Sequence, residues 1–212
     1  MMEKTWHKIY EERAKNTEKE DYDACYWTKQ GHRELLQITT KLLEKENKNQ
    51  TILDVGCGTG EYIKKLTQKG FKVIGTDYSR EMLKRAQKNN PDTKLIQANI
   101  YDLPFPNKSF DITICIGVIT CISDYQKALQ ELKRVTKKKI ILSTLLRIRK
   151  HHNIKEYIKK KLEKDSWPTI DYHPQEIIQE FPNQEWKTEI KTHNERHEPI
   201  TDGFFIIAER KK

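Results

Sequence analysis

The chain has 212 residues, 40 Lys and Arg against 31 Asp and Glu, and a formal charge of +9. That length fits one domain with at most a small appendage. A charged content of 33% over a hydrophobic content of 35% predicts a thin core under a heavily charged skin. No apolar stretch reaches the ~18 residues of a membrane span, and Met1–Trp6 carries no apolar core of a secretory signal. The cysteines at 25, 57, 115 and 121 form no C-x-x-C pair, which argues against zinc ribbons and redox motifs. The expectation is a cytoplasmic protein with free thiols and no membrane partner.

Residues 3–48 read as polar and helical, with Leu35, Leu36, Ile38, Leu42 and Leu43 on one apolar stripe. Asn47–Gln50 breaks the pattern. From Thr51 the chain alternates, predicting strands at Thr51–Val55, Phe71–Thr76, Lys94–Ala98, Asp111–Ile116 and Lys139–Ser143. The intervening helices are predicted at Glu61–Gln68, Arg80–Asn89 and Asp124–Val135, with Gly70 and Pro91 as stops. This β-α-β order predicts an α/β fold, a doubly wound and mainly parallel seven-stranded sheet with helices on both faces. After Ser143 the alternation ends. His151–Lys164 reads as a basic helix, Pro174–Phe181 as a short helix, and Glu185–Thr192 and Phe204–Glu209 as a closing antiparallel strand pair. The whole reads as a single domain, 1–212: a helical cap over 1–48, a ligand-binding core over 50–145, and closing helices and strands over 146–212.

The most informative stretch is Leu53-Asp54-Val55-Gly56-Cys57-Gly58-Thr59-Gly60. A strand enters a glycine turn and then a helix, whose N-terminus offers free N–H groups and a partial positive charge. Gly56 and Gly58 let the backbone approach a ligand with no Cβ in the way. This is not a G-x-x-x-x-G-K-[ST] phosphate loop, and Glu61 stands where a dinucleotide fingerprint needs its third Gly or Ala. A carboxylate there opposes a pyrophosphate, whereas Asp54 suits a cationic amine. Asp77 ends the second strand, where an acid takes the hydroxyls of a ribose. The pattern therefore points to a ribose with a charged, non-phosphate tail.

In these residues the sequence resembles the class I S-adenosylmethionine-dependent methyltransferases, of type 11/25. Gly75-Thr76-Asp77-Tyr78-Ser79 with Met82-Leu83 is similar to their second motif. Ala98-Asn99-Ile100-Tyr101-Asp102-Leu103-Pro104-Phe105, followed by Ser109-Phe110-Asp111, is similar to their third. The resemblance covers about residues 50–145 and implies a Rossmann-like methyltransferase fold, with S-adenosylmethionine as cofactor and S-adenosylhomocysteine as product. It places Gly56, Cys57, Gly58 and Gly60 beside the methionine portion and Asp54 at that end. Asp77 falls on the ribose, Tyr78 against adenine, and Asn99 and the Ile100 N–H on the adenine edge. The strand-end carbonyls of Cys115 and Ile116 face the methionine amine. Two departures stand out. Asn99 replaces the usual Asp, and Asn still accepts through its oxygen. Val135-Thr136-Lys137-Lys138-Lys139 replaces the usual Pro-Gly-Gly.

The acceptor side is less determined. A Pro-Cys nucleophile of cytosine-C5 enzymes is absent, and Cys115-Ile116-Gly117-Val118-Ile119 replaces the Asn/Asp-Pro-Pro-aromatic of amino-directed nucleic-acid enzymes. Candidate bases beyond the fourth strand are Asp124, Tyr125, His151, His152 and His173. Tyr10, Tyr22, Tyr26 and Trp27 either line a substrate pocket or form a helix-packing set, and Arg13 is a candidate for the cofactor carboxylate. His193 and His197 lack a third ligand, so no metal is expected. Lys127–Lys164 holds 14 Lys and Arg against Glu131, Glu156 and Glu163, which makes +11, leaving −2 for the rest. That segment is either a solvated face or a patch for nucleic acid. Three functions follow: methyl transfer to a small molecule, methyl transfer to RNA of tRNA type, or a non-catalytic cofactor-binding subunit.

Overall fold

The computed structural model describes residues 2–15, 20–25, 29–147, 172–194 and 201–211. Three helices open it: α1 (Met2–Lys15), α2 (Asp21–Ala24) and α3 (Lys29–Leu42). Then come β1 (Thr51–Val55), α4 (Glu61–Gln68), β2 (Lys72–Asp77), α5 (Arg80–Asn89), β3 (Leu95–Gln97) and β4 (Phe110–Cys115). A single 3-10 turn at Ile119–Cys121 leads into α6 (Tyr125–Val135) and β5 (Thr136–Arg147). A short α7 (Pro174–Gln179), β6 (Trp186–Asn194) and β7 (Thr201–Arg210) close the described chain.

The seven strands form one sheet in the order β3-β2-β1-β4-β5-β7-β6. The first five run parallel, and β7 inserts antiparallel between β5 and β6. The order reverses between β1 and β4, so the carboxyl ends of those strands open a crevice. Side-chain alternation divides the core in two. Leu53, Ile140, Leu142, Ile206 and Ala208 point to the face packed by α6 and α7, with Leu129, Leu132, Ile177 and Trp186. Ile52, Ile112, Ile114, Ile141 and Phe205 point to the other face, under Leu35, Leu43 and Leu66. A strand period of two carries this division.

Local chemistry sets the helix bounds. The Ser79 hydroxyl caps α5 by accepting the Met82 N–H at 3.1 Å, and Asp124 caps α6 by accepting the Lys127 N–H at 2.9 Å. Gly70, at φ +90°, ends the turn after α4.

β5 starts three residues earlier than predicted and extends to Arg147. The Lys137-Lys138-Lys139 run reads as a poor strand, but its neighbours neutralise it. Lys138 pairs with Asp111 at 3.2 Å, and Lys139 with Glu46 and with Glu209 at 2.8 Å. Thr136 bonds Thr113 at 2.6 Å, and α6 passes straight into the strand at Val135–Thr136. The predicted basic helix His151–Lys164 lies outside the described residues.

The helical cap is tied to α5 by carboxylates. Glu11 accepts from the Ser79 hydroxyl at 2.9 Å and from the Glu81 N–H at 3.2 Å, acting as an external cap. Asp21 takes the Arg85 guanidinium at 2.7 and 3.1 Å and the Asn89 amide at 2.8 Å. The predicted stripe of α3 packs on the sheet, with Leu35 and Leu43 fully buried and Leu36 half-buried. Leu35→Ala should therefore lower unfolding free energy by about 2–4 kcal/mol, and Leu36→Ala by clearly less. Urea denaturation of the two variants checks that difference.

Candidate functional site

The crevice is built around the turn after β1. Gly56, Gly58 and Gly60 adopt φ of +75°, +53° and +83°, a region that side chains disfavour. A Cβ on Gly56 would lie 2.2 Å from a Val118 methyl, and one on Gly58 would lie 2.7 Å from the Cys25 sulfur. The loop is pinned to β2: the Gly56 and Cys57 N–H groups both donate to the Thr76 carbonyl, at 2.8 and 2.9 Å.

Asp77 ends β2 and accepts from the Gly58 N–H and the Ser79 N–H, each at 2.8 Å. Burial raises its carboxyl above the usual range, against these hydrogen bonds. Asp54 is buried beneath the loop at 1% exposure, and its Oδ2 has no hydrogen-bond partner among the described residues. Burial, and secondly the Asp77 charge, push it up to about 8. Two acids thus sit close together at the strand ends, one held by backbone donors and one orphaned.

Above this floor lies a cavity. Gly56, Cys57, Gly58, Asp77 and Tyr78 line one side, Asn99 and Ile100 an end, and Ile116 and Val118 the far wall. The cap provides the roof with Trp6, His7, Tyr10, Cys25 and His32. Tyr78 is 46% exposed and meets the His7 ring at 4.6 Å between centroids. Asn99 accepts the Tyr101 N–H at 3.0 Å, and its oxygen keeps a second lone pair. Burial pushes the Cys25 and Cys121 thiols up to about 11, so they act as packing groups and not as thiolates.

Of the candidates from sequence, the cavity gathers Tyr10 and eight of the eleven cofactor candidates along the loop and strand ends, but three stand off it. Asp54 lies buried below the lining, Cys115 is buried within β4, and Gly60 faces the Asn90 amide. Two acid–base candidates need correction. Tyr125 packs in the core with its ring 4.5 Å from Tyr172. His173 is exposed and caps α7 by accepting the Gln175 N–H at 3.3 Å. Neither lines the cavity. Tyr26, Trp27, His151, His152 and His197 lie outside the described residues. Sequence reasoning missed Trp6, His7, Asp21, Cys25 and His32 as cavity residues. Only His32 leaves a signal, because His32, Leu35, Thr39 and Leu43 share one helical face.

A profile of the family described as Methyltransferase domain matches residues 53–143. Residues 53–143 are thus similar to a methyltransferase domain. Over 113 residues the chain is 35% identical to a malonyl-[acyl-carrier protein] O-methyltransferase of Hamiltonella defensa, covering 52% of this chain and 42% of that one. Over 89 residues it is 38% identical to a demethylmenaquinone methyltransferase of Renibacterium salmoninarum, covering 42% of this chain and 37% of that one. The chain spans about half, or less, of the length of the curated relatives it matches. The fold of the chain is similar to that of a magnesium protoporphyrin IX methyltransferase from Synechocystis with bound S-adenosylhomocysteine. That match has a TM-score of 0.72 at 16% identity and covers 97% of this chain and 93% of that one.

The site fits such a cofactor. The glycine cradle has no room for a Cβ, Asp77 presents a carboxylate beside it, and the buried Asp54 Oδ2 beneath has no hydrogen-bond partner among the described residues.

The raised Asp54 has a consequence for stability. The folded protein holds a proton that the unfolded chain, with an ordinary value of 3.8, releases. Stability should therefore fall as pH rises from about 4 to about 8, by up to about 1.4 kcal/mol per pH unit from this group alone. Asp54→Asn removes that slope. Urea unfolding of variant and wild type across the window should show the variant's relative stability growing with pH.

Proposed function

We propose that the protein transfers a methyl group from S-adenosylmethionine to a small-molecule acceptor in this cavity. The observation that carries the reading is the enclosure: glycine loop and Asp77 below, helices α1 to α3 above, one cavity between. When bound, the cofactor supplies a methyl group already activated on a sulfonium. The protein's work is then positioning and exclusion of water.

Gly56 and Gly58 admit close approach of the methionine portion, Asp54 lies buried beneath that end, and the Cys115 and Ile116 carbonyls lie at the adjoining strand end. Asp77 holds the ribose hydroxyls. Tyr78 covers the adenine face, and Asn99 with the Ile100 N–H reads its edge. Tyr10 closes the pocket from the roof. The relatives named above act, by their names, on demethylmenaquinone and on a carrier-bound malonyl group, which supports a metabolite acceptor. The surroundings expected are the cytoplasm, and no described helix is long and apolar enough to cross a membrane.

The RNA reading draws less support from the packing. Within the described part of the basic segment, Lys133 donates to the Glu180 carbonyl, Arg134 pairs with Glu131, and Lys138 and Lys139 pair with acids. Lys127 lies over the Tyr101 ring at 5.7 Å. These cations serve the fold before they can serve a polyanion.

Calorimetry should detect S-adenosylhomocysteine binding, weakened by about 1.5–3 kcal/mol in Asp77→Ala. With labelled methyl donor, label should enter a metabolite pool. Label in RNA, falling steeply with salt, would overturn the small-molecule reading, and binding without turnover on either pool would make the protein a cofactor-binding subunit.

A further inference from the structure

Apart from the cavity, the described residues form a groove of about 410 Å³ between α3 and α4. Helical spacing builds its walls. On α3, Arg33, Gln37 and Lys41 follow one another at i, i+4 and i+8. On α4, Lys65 and the capping Lys69 lie four and eight residues beyond Glu61. Four cations, Arg33, Lys41, Lys65 and Lys69, thus meet one carboxylate, Glu44, and all five residues are exposed. The half-buried Leu36 adds apolar surface between them.

None of the four cations forms an ion pair with a described residue. Elsewhere the protein behaves differently: Arg85, Arg134, Lys138 and Lys139 each meet a carboxylate. Lys65 and Lys69 are moreover like charges at i and i+4, which opposes the helix that carries them. The groove also has a place relative to the cavity. Arg33 follows His32, and Lys65 lies one turn beyond Glu61. His32 and Glu61, 3.5 Å apart, both line the cavity, so the groove starts at its edge.

Charge complementarity asks for carboxylates or phosphates, and the rest of the lining decides between them. A nucleic-acid strand brings phosphates alone and is held by aromatic platforms. The groove has no aromatic lining residue among those described, and its Glu44 repels a phosphate. A protein helix meets every feature. Carboxylates at i, i+4 and i+8 span about 12 Å, the rise from Arg33 to Lys41. A basic residue beside them meets Glu44, and an apolar one covers Leu36. We infer that the α3–α4 groove docks an acidic amphipathic helix of a partner protein beside the cavity. This goes beyond the methyl-transfer reading and is independent of the acceptor.

Fluorescence anisotropy on the whole protein tests this with three labelled probes. One is a helical peptide with Glu at i, i+4 and i+8 beside a Leu stripe, the second a scramble of the same composition, and the third a single-stranded RNA of matched charge. The helical peptide should bind wild type and lose about tenfold in affinity in the double variant Arg33→Glu, Lys65→Glu, the scale of several exposed ion pairs acting together. The double variant Lys187→Glu, Lys191→Glu makes the same charge change at exposed positions of β6 and should leave that affinity unchanged. Three results overturn the inference: no binding of the helical peptide to wild type, an equal loss in the two variants, or an equal loss for the scramble. RNA that binds more tightly than the peptide and is released by the groove variant overturns it as well, in favour of a nucleic-acid groove. Circular dichroism establishes that the variants are folded, and Lys41→Gln with Lys69→Gln provides the same comparison should the first pair not be.

Discussion

The structure hangs on the turn between Val55 and Gly60. Three left-handed glycines in five residues let β1 reverse into α4, and two successive N–H groups fasten the turn to one carbonyl of β2. The missing side chains matter as much as the backbone angles. Val118, beyond β4, occupies the space of a Gly56 side chain, and Cys25, from the cap, crowds that of Gly58. The loop is therefore the place where two strands, the exit of a third and the roof come within contact of one another. Its chemistry as a ligand cradle and its role as a structural junction are the same fact.

The roof depends on that junction through charge. α1 and α2 are polar helices with little apolar surface of their own, and short helices gain most of their stability from packing. Here Glu11 supplies an acceptor for N–H and O–H donors at the start of α5, and Asp21 forms a two-point contact with Arg85. Two guanidinium N–H groups converge on one Asp21 oxygen while the Asn89 amide takes the other, which is directional in a way that a lysine contact is not. The cap is thus located by acids reaching over to α5, and one of them, Asp21, also lines the cavity.

The fold was legible where local signals and tertiary demands agreed. Thr51–Val55, Glu61–Gln68 and Arg80–Asn89 carry their own strand pattern, stops and caps, and they lie where the sequence places them. β5 was under-read because Lys137–Lys139 is unfavourable in isolation and acceptable only beside Asp111, Glu46 and Glu209, which are distant in sequence. The cavity floor was legible for the same reason as the core strands, since its residues follow in fixed order on one turn and two strand ends. The roof was not. Trp6, His7 and Asp21 reach the cavity through contacts between helices, and nothing in their spacing announces it. Tyr125 and His173 carry the chemistry of candidate bases, but packing assigns one to the core and the other to a helix cap.

The division of charge follows from these placements. The basic excess lies in a segment whose described members are largely engaged with carboxylates, carbonyls and aromatic rings on the outside of the sheet. The acids, in contrast, converge on the strand ends: Asp54 and Asp77 below, Glu61 and Asp21 at the margin. Burying carboxylates together is unfavourable, and a protein optimised only for stability would replace an orphaned Asp54 with an apolar residue. Its presence directly under a glycine turn, in a chain whose described Lys and Arg residues do not line the cavity, is intelligible if a positively charged ligand completes the site. The net charge of the chain describes its surface, and the chemistry of its cavity is of the opposite sign.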